Sequence, residues 1–418
     1  MWVTFAPCLY IFVDYYFHHV STFTINAIHS LSSIYMLLYP LVVYFTFGVF
    51  DDISFKNDQV PSHSTVPGSG LRRGILIGAV LNVIGSGMRW FGAIPSLYGF
   101  LFLFIGQSIA ALAQVFMLAI PPQLAVAWFP ESEINVATSI AVSANNLGIA
   151  IGCLWSPWAI HLDTMLDDIP HLLLLQFIMC TLVILIITVA FQKQPPCYTQ
   201  TSVDISNSNV DSTTQRLFKE KNFILLLLSY GVIFGAQCAI ITLIDQILLP
   251  PFTGIIVEND VGILSCVTLF VGVLGSILVG HYLDNTKKYR LVCGTLSILT
   301  SFSMIVLYIS IEWKSFWGVA FSCIGFGASS YSIAPAIFQY CGELFYPVNE
   351  IIPTGYLFLI GNIGGVILVA FMGWTENTDS DFNMRWPMIY LLIAVIIGSL
   401  AMIRVNGPLK RSLTTILV

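Results

Sequence analysis

Charge is what this sequence most lacks. Only 9% of its 418 residues are charged, and 57% are hydrophobic, whereas a soluble domain carries about 25% charged residues. So few charges cannot cover a water-facing surface, but a lipid-facing surface needs none. The net charge of -6 is spread thinly, which argues against nucleic acid as a partner. No CxxC pair occurs, and the nine cysteines fall singly, mostly in apolar runs. They read as small apolar residues rather than a disulfide or metal framework. A nucleotide loop, metal-ligand spacing and a Ser/His/Asp grouping are also missing, so neither an enzyme nor a bound cofactor is expected. Long polar stretches are scarce: one spans 192–221, rich in Ser, Thr, Asn and Gln, and a shorter one spans 56–70.

Long apolar runs are what the chain does have. A bilayer span needs ~20 mostly apolar residues. Eleven stretches qualify, near 27–50, 72–92, 95–121, 134–160, 170–191, 222–247, 261–283, 290–311, 314–341, 351–373 and 386–404. A partial twelfth lies near 1–13. Asp14 and His18–His19 already read as an outer loop, so Met1 falls in mid-membrane. The first half of helix one is therefore expected to be missing from this sequence, because a free amine in hydrocarbon is costly. No charge precedes that run and no small-residue cleavage site follows it, so it does not read as a cleaved leader.

Positive charge collects on the cytoplasmic side of membrane proteins. Of the 16 Lys and Arg, 13 lie in alternate loops or the C-terminal tail, and only Arg89, Lys314 and Arg385 lie opposite. Both termini and the stretch 192–221 are therefore expected in the cytoplasm, with acidic loops such as Asp163, Asp167 and Asp168 outside. The expected division is a six-helix half at 1–191, a linker at 192–221, a second half at 222–404 and a tail at 405–418.

The halves echo one another. After span two the chain reads GVFDD, then the polar insert, then GLRRG; after span eight it reads GHYLDNTKKYR. Span five follows Phe129-Pro130 and holds Asn146-Leu147-Gly148. Span eleven follows Tyr346-Pro347 and holds Asn362-Ile363-Gly364. The Pro-to-Asn spacings are 146 − 130 = 16 and 362 − 347 = 15. Parallel six-helix repeats are the plan of the major facilitator superfamily.

Within that plan, GQSIAALAQVFMLAIPPQLAVAWFPESEINVATSIAVSANNLGIAIG (Gly106 to Gly152) resembles spans four and five of the FLVCR-related transporters, solute carrier family 49. LLLLSYGVIFGAQCAIITLIDQILL, TGYLFLIGN from Thr354 and WVTFAP from Trp2 are similar to further helices of that family, in order along nearly the whole chain. The resemblance implies an all-α membrane fold of twelve helices working by alternating access. In its choline-transporting members the pocket is made by a Trp, a Met, a Gln, a Tyr and a second Gln. These positions fall on Trp2, Met36, Asn146, Cys238 and Asn362. Both Gln are shortened to Asn, and the Tyr has become Cys238. Quaternary ammonium groups are held by aromatic faces, each worth about 0.5–2 kcal/mol, so losing one wall bears directly on choline.

The residues leave alternatives beside the pocket reading. Asn146 and Asn362 read as pocket amides or as interhelical glue; Trp2 reads as a pocket wall or as a belt residue. Gln114, Gln237 and Asp245 are candidates for the pocket edge or for coupling, against packing for Gln107 and Gln114 and a water-facing helix end for Asp245. Asp51 with Arg72 and Arg73, and Asp284 with Lys287 and Arg290, resemble the superfamily's cytoplasmic gate, against topology charge alone. The expected partner is a small organic cation or amine such as choline or ethanolamine, with haem as the alternative cargo and a non-transporting surface receptor as the alternative from another class. The bilayer is the other partner, and a monomer is expected. Plasma membrane is the default location, with mitochondrial and lysosomal membranes as alternatives.

Overall fold

The computed structural model describes residues 2–5, 8–19, 21–50, 69–191, 210–253, 258–375 and 384–412. Among them the regular structure is helical. In chain order the helices are α1 (Leu9–Phe17), α2 (Thr22–Phe50), α3 (Ser69–Phe91), α4 (Leu97–Leu118), α5 (Ile120–Trp128), α6 (Ile134–Ala159) and α7 (Met165–Ala190). They continue with α8 (Val210–Lys219), α9 (Lys221–Leu248), α10 (Glu258–Thr286), α11 (Tyr289–Glu312), α12 (Phe316–Phe345), α13 (Ile351–Trp374) and α14 (Arg385–Arg404). Eleven of these are long and apolar enough to cross a membrane, and α1 precedes them. In hydrocarbon every backbone group must be paired within its own segment, which helices do. Serine and threonine follow the same rule by bonding back along their helix. Ser265 donates to Val261 O at 2.9 Å, Thr268 to Leu264 O at 2.7 Å and Ser297 to Cys293 O at 2.8 Å.

Contacts group the chain into two compact units, Met1–Trp128 with Ser156–Ser206, and Phe129–Trp155 with Asn207–Val418. The main length of α6 thus groups with the later helices. In the first unit α3 and α4 approach through glycines. A Cβ on Gly85 would sit 2.8 Å from the backbone of both Ala110 and Gly106. Small residues at such crossings give the close packing that holds helices together in lipid. The same unit buries Arg89, 1% exposed, near the end of α3. Its guanidinium lies 5.0 Å over the Phe5 ring, and none of its three nitrogens has a hydrogen-bond partner among the described residues.

In the second unit α12 runs through the interior. Its most apolar window is 78% buried, against 11% for α7, so α12 is wrapped by protein and α7 faces outward. α9 and α13 cross through Gly231, Gly235 and Gly364, where a Cβ on Gly364 would come 2.5 Å from Gly231 O. The second half of the polar stretch forms α8 rather than open linker. Leu217 is buried, Phe218 lies 5.6 Å from Phe223 and 5.2 Å from Tyr356, and Thr214 shares a 3.1 Å hydrogen bond with the Tyr356 hydroxyl. An apolar face with polar flanks is what makes a short helix dock. Residues 192–209 and 51–68 lie outside the described residues.

The repeated Asn-x-Gly pairs therefore differ in packing. Gly364 is pressed against backbone, whereas nothing lies within 4 Å of a Cβ on Gly148. Gly364→Ala is expected to lower the melting temperature of purified protein, an overpacking cost of ~1–3 kcal/mol. Gly148→Ala should be neutral or stabilising by up to ~1 kcal/mol through helix propensity; equal effects would contradict this packing. Arg89→Met keeps the bulk and removes an unpaired buried charge. It is expected to raise stability by ~1–3 kcal/mol in the same melt, since an unpaired buried charge costs more than one cation–π contact returns. An unchanged or lower melting point would mean that Arg89 is neutralised where it sits.

Candidate functional site

In the first unit Trp2 is pinned by its indole N–H, which donates to Ser32 O on α2 at 3.1 Å. Its ring is half-buried against Tyr35, Ala110 and Ala111. Met36, one helical turn beyond Ser32, is buried on the same helix. These two residues are thus brought to one stretch of α2. Gln107 is fully buried and donates to Leu31 O at 3.0 Å, so it ties α4 to α2 as packing. Gln114 is half-buried and makes no side-chain hydrogen bond among the described residues.

In the second unit the two repeated asparagines are buried, Asn146 on α6 and Asn362 on α13. Neither bridges helices. Asn362 donates to Phe358 O of its own helix at 2.8 Å, leaving its carbonyl oxygen unused. Asn146 makes no side-chain hydrogen bond among the described residues. Cys238 is buried on α9. The neighbouring Gln237 donates to Ser330 O on α12 and so acts as an interhelical tie. Asp245 lies in α9, but its side chain falls outside the described residues.

One residue that sequence reasoning passed over is Tyr331 on α12. It packs with Ala150 and Leu269, within electrostatic reach of the Cys238 and Cys153 thiols. Its buried hydroxyl has no partner among the described residues. The ring also lines a small cavity with Ile240, Ile241, Ile244, Thr268 and Phe326. An aromatic wall thus stands in the neighbourhood where the residue pattern lost one at 238. In the sequence Tyr331 sits in a Ser- and Ala-rich run and looks like ordinary core.

At the end of the second unit that carries the positive charge, Asp284 closes α10 onto the start of α6. One carboxylate oxygen accepts the Asn135 backbone N–H at 3.0 Å and the Asn135 amide at 2.8 Å; the other accepts the Val136 N–H at 2.8 Å. These donors are among the four N–H groups that an α-helix start leaves unpaired, and the helix dipole favours an anion there. Asn135 also donates to the Tyr289 hydroxyl at 3.0 Å. Lys287 stands 3.9 Å from Asp284 and donates to Glu131 O at 2.9 Å. The expected acid–base cluster is therefore chiefly a helix cap with one lysine beside it. Arg290 turns away, to Asn406 at 3.2 Å. Of the first copy, Asp51 lies outside the described residues, Arg72 donates to Thr188 O at 3.4 Å and Arg73 makes no hydrogen bond or ion pair among the described residues. Sequence reasoning missed Asn135 and a second acid, Glu343, which is buried at the end of α12. A carboxylate inside an apolar run was the available signal.

A family model described as Major Facilitator Superfamily matches residues 1–368. The human "Choline/ethanolamine transporter FLVCR2" is 28% identical, covering 98% of this chain and 74% of its own length. "Solute carrier family 49 member A3" of Xenopus tropicalis is 27% identical, covering 93% and 78%. Among solved structures, a major facilitator transporter, FucP, in the outward conformation has a TM-score of 0.67 at 13% identity, covering 97% of both chains. A bacterial homologue of the iron transporter ferroportin, in an outward-facing state, has a TM-score of 0.65 at 13% identity, covering 96% and 94%; at that identity both likenesses speak for the fold alone. This chain is a multi-pass membrane transporter and not an enzyme, similar along nearly its whole length to FLVCR-related and other solute carrier family 49 proteins, and it belongs to the major facilitator superfamily.

Proposed function

We propose that the protein carries a small organic cation or amine of the choline and ethanolamine class by alternating access. The observation that carries this is the pair Asn146 and Asn362. They occupy repeated positions, both are buried, and neither is spent on joining helices. Interhelical glue is the alternative reading of such residues, and it requires bonds that these two do not make. An amide offers an acceptor and two donors, and Asn362 keeps its acceptor beside the bond to Phe358 O, which suits a hydroxyl or an amine. Trp2 in the first unit, held by Ser32, and Tyr331 in the second are each an aromatic face of the kind that holds an ammonium group. The names of the relatives point to the same substrate class. Residues 1–191 and 222–404 are proposed as the moving halves, and the positive bias supports a cytoplasmic position for 192–221 and the tail. Epitope tags inserted in 192–209 should be silent in intact cells and detected after permeabilisation; detection from outside would overturn that orientation.

Saturable uptake of labelled choline or ethanolamine into proteoliposomes is the expected result, and a receptor that only kept the fold would show none. Asn146→Leu and Asn362→Leu should each raise the apparent KM or abolish uptake at unchanged yield. Lower yield with unchanged KM would return both residues to packing. Trp2→Ala should cost about 0.5–2 kcal/mol, roughly twofold to thirtyfold in affinity. Tyr331→Phe, which keeps the ring, should preserve uptake, and Tyr331→Leu should reduce it by a similar factor. If Trp2→Ala and Tyr331→Leu are both silent, the ammonium reading fails and an anionic cargo such as haem takes its place.

A further inference from the structure

The capped end of α6 leaves one acid unexplained. Glu343 is 1% exposed, and it is answered by the C-terminal segment. One carboxylate oxygen lies 2.9 Å from both Nε and Nη2 of Arg411. The other accepts the backbone N–H of Ser412 at 3.1 Å and its hydroxyl at 2.8 Å. Arg411 also donates to the Gln339 side-chain oxygen at 3.0 Å, and its Nη1 stands 3.5 Å from Glu350. The segment is anchored upstream, where Asn406 and Asn222 exchange hydrogen bonds of 2.8 and 3.2 Å and Arg290 reaches Asn406.

The chain of bonds continues into α6. Gln339 spends its oxygen on Arg411, so its amide nitrogen faces the other way and donates to the Thr138 hydroxyl. Thr138 lies one turn beyond Asn135, the residue that Asp284 caps. Burial pushes the Glu350 carboxyl above its ordinary range, with Arg411 opposing that shift. Burial alone would pull the Arg411 guanidinium down, but Glu343 and Glu350 hold it above its ordinary value. One arginine therefore compensates two acids and also sets which way Gln339 points. A guanidinium fork is suited to this, because it is planar, always charged and bidentate. Without it, Glu343 would be a buried carboxylate short of donors, a costly state, and the Gln339 amide beside it would be drawn from Thr138 towards Glu343.

We propose that residues 405–412 form a latch on the transport cycle: Arg411 and Ser412 clamp Glu343 and, through Gln339, hold α6 closed against α12 until the carrier opens on that side. Arg411 is a positioning residue, acting on α6 through Gln339. The inference rests on the alternating-access reading of the transporter, and it adds the tail as part of the moving gate.

The test uses the full chain in inside-out vesicles. A cysteine at Ser139, buried on α6 next to Thr138, reports opening through its labelling rate with an impermeant maleimide, corrected by the same carrier without it. Arg411→Gln should raise the labelling rate several-fold and shift kcat more than KM. Adding Glu343→Gln should bring both back towards the parent, because the stranded charge is gone. Thr138→Val should raise labelling with the tail contacts intact, and it keeps the latch testable if Arg411→Gln folds poorly. Parental labelling in Arg411→Gln and Thr138→Val would overturn the latch, as would a double variant no closer to the parent than Arg411→Gln alone. Saturable uptake by the parent is measured separately. A parent without uptake of choline or ethanolamine counts against the substrate reading only, whereas the labelling pattern decides the latch.

Discussion

Hydrocarbon supplies no hydrogen-bond partner, and the rest of this structure follows from that constraint. It makes the segments helical and sends many of the described serines and threonines back to a carbonyl one turn away, as at Ser265, Thr268, Ser297 and Thr300. Residues treated in this way are silent. Other polar groups have no such local answer among the described residues, among them the Tyr331 hydroxyl and the Arg89 guanidinium, while the Glu343 carboxylate finds its partners far along the chain. A soluble protein would hide such groups among many others at a wet surface.

Packing is left to shape, because lipid tails are as apolar as leucine and helices gain little by burying it. Glycine takes on that role at the α3–α4 and α9–α13 crossings, where added side chains would meet backbone atoms. A second device is the polar tie between helices, used sparingly. Gln107 to Leu31, Gln237 to Ser330 and the Ser301–Ser399 hydroxyl pair at 2.8 Å each join two helices. These ties draw off amides and hydroxyls that sequence reasoning treats as candidate ligands. Gln237 is one such residue, and the structure assigns it to the frame.

How much was legible in the sequence follows the range of the interactions. The spans could be read from local hydropathy, and the agreement is close: the stretch near 290–311 is the helix Tyr289–Glu312, and 351–373 is Ile351–Trp374. The acid Asp284 was legible as the repeat of a Gly–Asp–basic pattern, but its partner was not. The donors belong to Asn135 and Val136, about 150 positions away, and a helix start carries no charge for a pattern search to find. Glu343 and Arg411 are 68 residues apart with no shared periodicity, and α8 was masked by the polar composition of its surroundings. The repeated Asn-x-Gly pair misleads in a further way. Its asparagines match in burial while its glycines do not match in packing, because duplication keeps residues longer than it keeps their neighbours.

The two buried acids of the second unit show what kind of contact a carrier can place where. Asp284 and Glu343 stand near the end of the molecule that carries the positive charge, and their partners are N–H groups, a hydroxyl and a guanidinium. Water could replace every one of these if that end opened, so such bonds could hold firmly when closed and be broken without leaving a group stranded. Deeper in the helices that exchange fails, since an unpaired polar group there has no water reservoir to draw on. The amides of Asn146 and Asn362 are therefore of a different kind from these two acids. On the proposed reading, their unused capacity would be met by a polar solute, and that requirement would couple occupancy to the energy of the surrounding helices. Polar contacts replaceable by water suit a gate, and polar groups that a solute must satisfy suit a binding site.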